Sequence, residues 1–505
     1  MRTNKLSVTL VNKFSNPLKN VVSTAKTCYS SKGIVEDESI QFPKDEKLLF
    51  DLLKAGHHTT FEHQYFQFAI TNVSRYLVWS LLHSHPYYNS EQVSQRYTKV
   101  KEKFCYIPDL PNSYKKSFID IIDKQYLFYN ELTTLVYPYV EKYYYDIFPA
   151  RKKSSEKFQK DIEKKAREIA RYVLPIGTYT YLYHTVNILT LLRYFKHSLL
   201  LDSSDEEKDL VKQMLAEVVK IDNSFEKIIN EIENSVIPLE SNQILITKEY
   251  KKYFDSELSS YSSKLVDYSI NAEKTLADAV RLFYGHVSTD LIDKEAIERI
   301  LNPGLNRILS SEIVLTNNIL LTKALTHIKY TFKKKLSHSA DSQNQRHRTV
   351  QSSSYDITRM DLSEPDYVIP KLIEIIPQLR ARFIEMMDYI WSEINKLISY
   401  SINPKFIVYL LPNSVAIRSF ESGNLLNYHH KYAMRLCYNA QEEIWQNSID
   451  EVKQIIKVHP NIGKFLLPPC TLRLLGKKYP ICPEGKRFCG IKVWKLNIND
   501  YSRVL

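Results

Sequence analysis

Glycine is scarce, with 10 among 505 residues. Neither G-x-G-x-x-G nor G-x-x-x-x-G-K-[ST] occurs, so the backbone cradles that hold phosphates in Rossmann and P-loop proteins are missing, and any nucleotide must be gripped by side chains. Cysteine is also sparse. The six residues, at 28, 105, 437, 470, 482 and 489, lie too far apart for the disulfide framework of a small secreted domain, and reduced thiols are expected. No run reaches the roughly 18 apolar residues of a membrane span. Residues 1–10 carry two early cations without an unbroken apolar stretch, so the expectation is a cytoplasmic protein with no membrane segment.

What is present argues for folded domains. Apolar residues make up 44% of the chain and aromatics 12%, including 36 tyrosines, and the length exceeds what one ordinary core holds. A net charge of +12 suits phosphates, nucleic acid or folate carboxylates without choosing among them. The run Lys333-Lys334-Lys335 sits in an alternating segment whose solvent side would account for it, so a nucleic-acid partner ranks last. Residues 45–55, with Asp45, Leu48, Leu49, Leu52 and Leu53, read as a short capped helix. Residues 63–71 read as a strand with Phe66, Phe68 and Ile70 on one face. Ser204 and Glu207 form a capping signature ahead of Leu210, Val211, Met214, Leu215, Val218 and Val219, one helical stripe. Residues 110–165 and 220 onward have helical spacing and are assigned to an insertion and a connector, which puts the domains at 1–250 and 251–505.

Three ordered correspondences link the halves. Val21 to Tyr29 matches Leu276 to Tyr284, each read as a helix ending on tyrosine. His63 to Ile70 matches His327 to Lys334. Leu174-Pro175 precedes Asn187 by the interval at which Leu411-Pro412 precedes Asn424, each read as part of a helical stretch.

Gly56-His57-His58-Thr59-Thr60-Phe61-Glu62-His63 fits G-H-x-[ST]-x-x-E-H. Ser94-Gln95-Arg96-Tyr97 and Gln345-Arg346-His347-Arg348 supply opposite ends of R-H-R-x7-S followed by x-R-Y. The first half has His83-Ser84-His85-Pro86 in place of the arginine pair, and the second has Asp356 in place of the serine. Ala170-Arg171, Leu174-Pro175, Tyr179-Thr180 and Thr185-Val186-Asn187 fit A-R-x-x-L-P-x-x-x-Y-T-x-x-x-x-T-V-N. Arg435 and Ala440-Gln441-Glu442-Glu443-Ile444 fit L-R-x-x-x-x-A-Q-x-E-I, and Val408 stands where Arg171 does. By these motifs the chain resembles the flavin-dependent thymidylate synthase (ThyX) family in tandem duplicate, with the functional residues divided between the copies.

That resemblance implies an α+β fold: two domains, each a twisted, mostly antiparallel sheet with long helices. It implies reductive methylation of deoxyuridylate (dUMP) to thymidylate, with FAD as cofactor and methylenetetrahydrofolate and NADPH as co-substrates. Arg435 would contact the uracil as the catalytic group. Ser94, Gln95, Arg96, Arg171, Gln343 and Arg346 would hold the nucleotide, and His57, Thr59, Glu62, Asn187, Arg346, His347, Arg348 and Asn424 would line the flavin. Guanidinium groups suit this work because they stay charged, bind phosphate bidentately and stabilise charge developing on a carbonyl. A homodimer would mimic the family's tetramer. A related C5 one-carbon transfer such as hydroxymethylation, or a non-catalytic flavin or nucleotide binder, remains open. Cys470, Cys482 and Cys489 resemble a cysteine-bearing tail of some members; they lack C-x-x-C spacing and are read as structural thiols with no metal.

Overall fold

In this computed structural model, residues 5–84, 87–100, 104–201, 203–239, 245–311 and 318–505 are described. The chain forms two compact units, each gathered from three stretches: 1–123, 175–244 and 402–410 in unit 1, and 124–174, 245–401 and 411–505 in unit 2.

Unit 1 is built on strands β1 (Ser7–Lys13), β2 (Tyr65–Ser74), β3 (Asn89–Gln92) and β4 (Tyr179–Asn187), in the order β1-β2-β4-β3. Every pairing is antiparallel. Phe66, Phe68 and Ile70 are buried, as their alternation requires. They pack with apolar residues of helices Pro17–Thr27, Ile188–Leu200 and Asp205–Val219. The last of these starts where the capping signature put it, with Ser204 Oγ accepting from Glu207 N at 3.2 Å.

Unit 2 repeats the plan with β5 (Ser263–Tyr268), β6 (Lys329–Ser337), β7 (Gln351–Ser354) and β8 (Ala416–Asn424), in the order β5-β6-β8-β7. The duplication holds residue by residue. Tyr65 pairs with Asn187 and Lys329 with Asn424; Ser74 pairs with Tyr179 and Ser337 with Ala416. β2 contains one residue more than β6, and a bulge between Thr71 and Val73 absorbs it: Asn72, at φ 58°. Each unit is thus an antiparallel sheet with helices, the α+β class expected.

Two expectations fail here. The segments that follow Leu174-Pro175 and Leu411-Pro412 are strands β4 and β8, not helix: in β4, Thr180, Leu182, His184 and Val186 are buried while Tyr181 and Tyr183 are exposed, an alternation no helix can present. Lys334 does not face solvent. It is in phase with Tyr330 and Phe332, and all three are 0% exposed. Lys333 and Lys335 take the other face and pair with Glu257 and Asp255.

Each unit contains a segment from the far half of the sequence. In unit 2, Arg382 of helix Pro377–Ser399 grips Glu131 through two bonds at 2.6 and 3.0 Å, and Phe128 meets Tyr389 edge-on. In unit 1, the Tyr409 ring lies 5.3 Å from that of Tyr76 and 4.5 Å from that of Tyr106. Gly177 N donates to Tyr409 O at 2.9 Å, and a Cβ on Gly177 would stand 2.7 Å from that oxygen, so only glycine allows the approach. No helix among the described residues is long and apolar enough to cross a membrane.

Candidate functional site

In unit 1 the first motif forms the turn into β2. Helix Glu46–Ala55 ends at Gly56, whose φ of 78° is the left-handed cap that favours glycine. His57, exposed, follows, and His58–Glu62 is a 3₁₀ turn with Thr59 and Glu62 exposed. Asn187 lies beside this turn because β2 and β4 pair Tyr65 with Asn187 and Ile188 N donates to Gln64 O at 3.1 Å. Its side chain caps the next helix, accepting from Thr190 N at 2.8 Å. Asn424 does the same in unit 2, accepting from Asn427 N at 3.0 Å. Ser94, Gln95 and Arg96 follow β3. Ser94 Oγ accepts from Arg96 N at 3.2 Å, Gln95 is buried, and the Arg96 guanidinium lies over the Tyr97 ring. His85 and Pro86 lie outside the described residues.

Unit 2 brings together the arginines of the second half and adds one from the first. Helix His338–Asn344 delivers Gln343 and then the turn carrying exposed Arg346 and half-buried His347 and Arg348. Arg435, the last residue of helix Leu425–Arg435, donates from Nη2 to Gln343 O at 2.7 Å. A cation there satisfies a carbonyl left over at one helix C-terminus and complements the dipoles of both helices. Burial, with the Arg435 and Lys431 charges, pushes the His347 pKa well down and keeps the ring neutral. Its Nε2 is buried with no hydrogen-bond partner among the described residues.

Gln343 leads onward. Its Nε2 donates to Gln441 Oε1 at 2.7 Å, Gln441 Nε2 donates to the Tyr172 oxygen at 2.5 Å, and the Tyr172 hydroxyl donates to Glu443 Oε2 at 2.5 Å. Glu443 also accepts from Ser337 N and Ser337 Oγ, both at 2.6 Å. Arg171 is 5% exposed, and its carbonyl accepts from Asn413 Nδ2 at 3.1 Å, so the Arg171-Tyr172 segment runs along the Leu411-Pro412 loop. Arg171, Gln343, His347 and Arg435 therefore share one unit and one chain of contacts. His57, Thr59, Glu62, Asn187, Ser94, Gln95 and Arg96 belong to the other unit, on two separate turns.

The Ser337–Glu443–Tyr172–Gln441 array escaped the motif reading, and unit 1 holds its twin. Ser74 N and Oγ donate to Glu206 at 2.7 and 2.6 Å, and Tyr409 and Ser204 stand at the sequence positions that correspond to Tyr172 and Gln441. The signal in the sequence was the A-Q-x-E-I frame, whose first-half counterpart is Ser203-Ser204-Asp205-Glu206-Glu207. Burial raises Glu206, despite its bonds to Ser74, to about 7. Burial and then Glu443 raise Glu442 to about 7 as well.

Cys437, Cys470, Cys482 and Cys489 line one pocket with Pro468, Glu484 and Trp494. All six cysteines are free, and burial raises Cys437 to about 11 and Cys470 to about 12, so these thiols stay protonated. Among the described residues no three His, Cys, Asp or Glu side chains are placed to hold a metal.

The profile of the family described as Thymidylate synthase complementing protein matches residues 9–222 and again 264–461. The chain belongs to that family. It carries the family's domain twice, in tandem, and the two matches track the two repeated sheets. A flavin-dependent thymidylate synthase of Clostridium tetani is 33% identical over 225 residues, covering 44% of this chain and 85% of the relative. A flavin-dependent thymidylate synthase of Thermosipho africanus is 32% identical over 179 residues, covering 34% and 68%. Among solved structures, the UMP/dUMP methylase PolB of Streptomyces cacaoi, bound with 5-Br dUMP, aligns at 19% identity and TM-score 0.30 over 46% of this chain and 96% of that one. Less than half of this family member thus accounts for most of the Clostridium tetani relative.

Proposed function

We propose that this protein is a thymidylate synthase that methylates C5 of dUMP reductively, using FAD, methylenetetrahydrofolate and NADPH, at a site to which both halves of the sequence contribute. The observation that carries this reading is Arg435 bonded to the Gln343 carbonyl, beside the Arg346-His347-Arg348 turn and in one contact chain with the Arg171 segment. It links residues of both halves within one unit, in a family whose similar proteins are named flavin-dependent thymidylate synthases, and so supports the reading.

Arg435 would lie against a uracil carbonyl and stabilise the negative charge that develops there, while Arg171 and Arg346 would neutralise the nucleotide phosphate. Ser94, Gln95 and Arg96 complete the nucleotide set in this reading, and His57, Thr59, Glu62, Asn187, Arg348 and Asn424 the flavin set. Residues of unit 2 fit a flavin: the buried His347 Nε2 has no hydrogen-bond partner among the described residues and can meet a polar group, and the exposed Arg346 suits its phosphates. Bound and reduced, the flavin supplies the hydride. Six free thiols accord with a reducing cytoplasmic setting. Exposed Leu282, Phe283 and Val287 at the end of helix Ala272–Tyr284 support assembly as a homodimer.

The test is tritium release from C5-tritiated dUMP with folate and reductant, together with the visible spectrum of the purified protein. A yellow protein that releases tritium and yields thymidylate is expected. A hydroxymethylated product would replace methylation with the related one-carbon transfer. A colourless protein that takes up no FAD and releases no tritium would sink the reading.

A further inference from the structure

Behind the Arg435 helix, unit 2 buries four charges in one cluster. Lys334 on β6, Glu421 on β8, Lys431 on helix Leu425–Arg435 and Glu451 on helix Glu442–Val458 are each no more than 1% exposed. Glu421 bonds both Lys334 and Lys431, Lys334 Nζ stands 2.6 Å from Glu451 Oε1, and Lys431 Nζ stands 3.6 Å from Glu451 Oε2. Ser263 Oγ closes the far side, donating to Glu451 at 3.0 Å. Two positive and two negative groups leave the cluster neutral overall. Burial acts against the Glu421 carboxylate, but the two lysines outweigh it and hold the pKa below the usual range.

Unit 1 shows that the fold does not need this cluster. The register that pairs Phe68 with His184 pairs Phe332 with Glu421, so His184 is the counterpart of Glu421. By the same correspondence Ile70 stands for Lys334, Tyr194 for Lys431 and Met214 for Glu451. His184 stacks on Tyr194 at 5.9 Å and neither ring nitrogen has a hydrogen-bond partner among the described residues. One sheet closes on a neutral core and its twin on four ions. Ions buried in this way are often replaceable by apolar groups without loss of stability, so their retention asks for another reason.

The remaining oxygen of Glu421 supplies one. Asn344, the last residue of helix His338–Asn344, donates from Nδ2 to Glu421 Oε2 at 2.6 Å and is itself buried. Lys431 precedes Arg435 by about one turn on the same helical face. A single carboxylate thus clamps the end of the helix that launches the Arg346–Arg348 turn to the helix that ends in Arg435. We propose that Glu421, held by Lys334 and Lys431, is a positioning residue that fixes the Gln343–Arg348 turn and Arg435 at the separation a ligand requires. Its ligand is dUMP on the functional reading above.

Two variants test it in the full chain. Asn344→Leu removes only the tether, and the quadruple change Lys334→Ile, Glu421→His, Lys431→Tyr, Glu451→Met installs unit 1's own solution. Amide hydrogen exchange reads the positioning without any ligand. At least tenfold faster exchange confined to residues 343–348 is expected in Asn344→Leu, with the melting temperature close to that of the parent. Exchange unchanged in both variants overturns the proposal, whatever the protein binds. Titration with dUMP reads the second link. At least tenfold weaker binding in both variants is expected, with KM for dUMP raised and kcat at saturation retained. Loosened amides with parental dUMP affinity would overturn the assignment of the clamp to that ligand, whereas a parent chain that binds no dUMP would overturn the functional reading and leave the exchange result standing.

Discussion

Arg435 and Glu206 show how far single side chains are constrained. Arg435 makes its bond to a backbone carbonyl, so Arg435→Ala should leave the fold intact while abolishing dUMP binding. Arg96→Ala should do the same by calorimetric titration, since on the proposed reading the two arginines serve one nucleotide. If only one matters, the site is not shared. Glu206 carries a different consequence. Its pKa rises from an ordinary 4.5 to about 7 in the folded protein because burial outweighs its bonds to Ser74. The folded state therefore binds this proton more tightly than the unfolded state. The stabilisation is fully present below about 4.5 and is lost as pH climbs through about 7. Thermal melts of Glu206→Gln between pH 4.5 and 8 should fall less steeply than those of the parent; parallel curves would refute the assignment. The sequence pointed to Arg171, Arg346 and Arg435 because their motifs name the residue type, and the structure sets all three in unit 2. Lys334 was misread because alternation defines two faces without saying which one is covered, and its phase with Phe332 was the cue that mattered. The Glu443–Tyr172 array was invisible because its members lie far apart in sequence and meet only through folding.

At the scale of elements, the two sheets differ by one inserted residue. Asn72 is a non-glycine residue at positive φ, a conformation with a modest strain cost. Its side chain donates to Lys5 O at 2.9 Å. Deleting it would give β2 the register already realised by β6, with Val73 in the place of Leu336 and Ser74 in that of Ser337. The deletion should change stability by no more than about 1 kcal/mol in urea unfolding. Deleting Ala69 instead would move Ile70 out of the core and Thr71 into it before the bulge can absorb the change, and should cost several times as much. The strand β2 and the helix behind Ser204 were readable because pattern and cap agreed. Strand β4 was not, because the preceding helix Gln159–Ala170 drew the Leu174-Pro175 motif into a helical reading. Its Tyr and Thr content and its strict alternation favoured a strand throughout.

For the whole molecule, the decisive feature is the exchange of segments. Residues 124–174 complete unit 2 and residues 402–410 complete unit 1. Coexpressed as two chains, residues 1–250 and 251–505 should copurify in equal amounts, while each alone should be recovered mainly as aggregate; two soluble, independent pieces would contradict the exchange. The tandem organisation was legible from matched residues in the same order and spacing, because duplication preserves intervals even where many side chains change. The exchange was not, since nothing in a local pattern tells a helix which copy to pack against. In a lineage, that arrangement acts as a ratchet. Recombination between tandem repeats ordinarily restores a single copy at one stroke, and a freshly duplicated gene tolerates the event. Here the survivor would inherit a core lined for another copy's helix and half of a divided set of arginines. Each copy is free to vary only in what the other supplies, and the pair passes to descendants together or not at all.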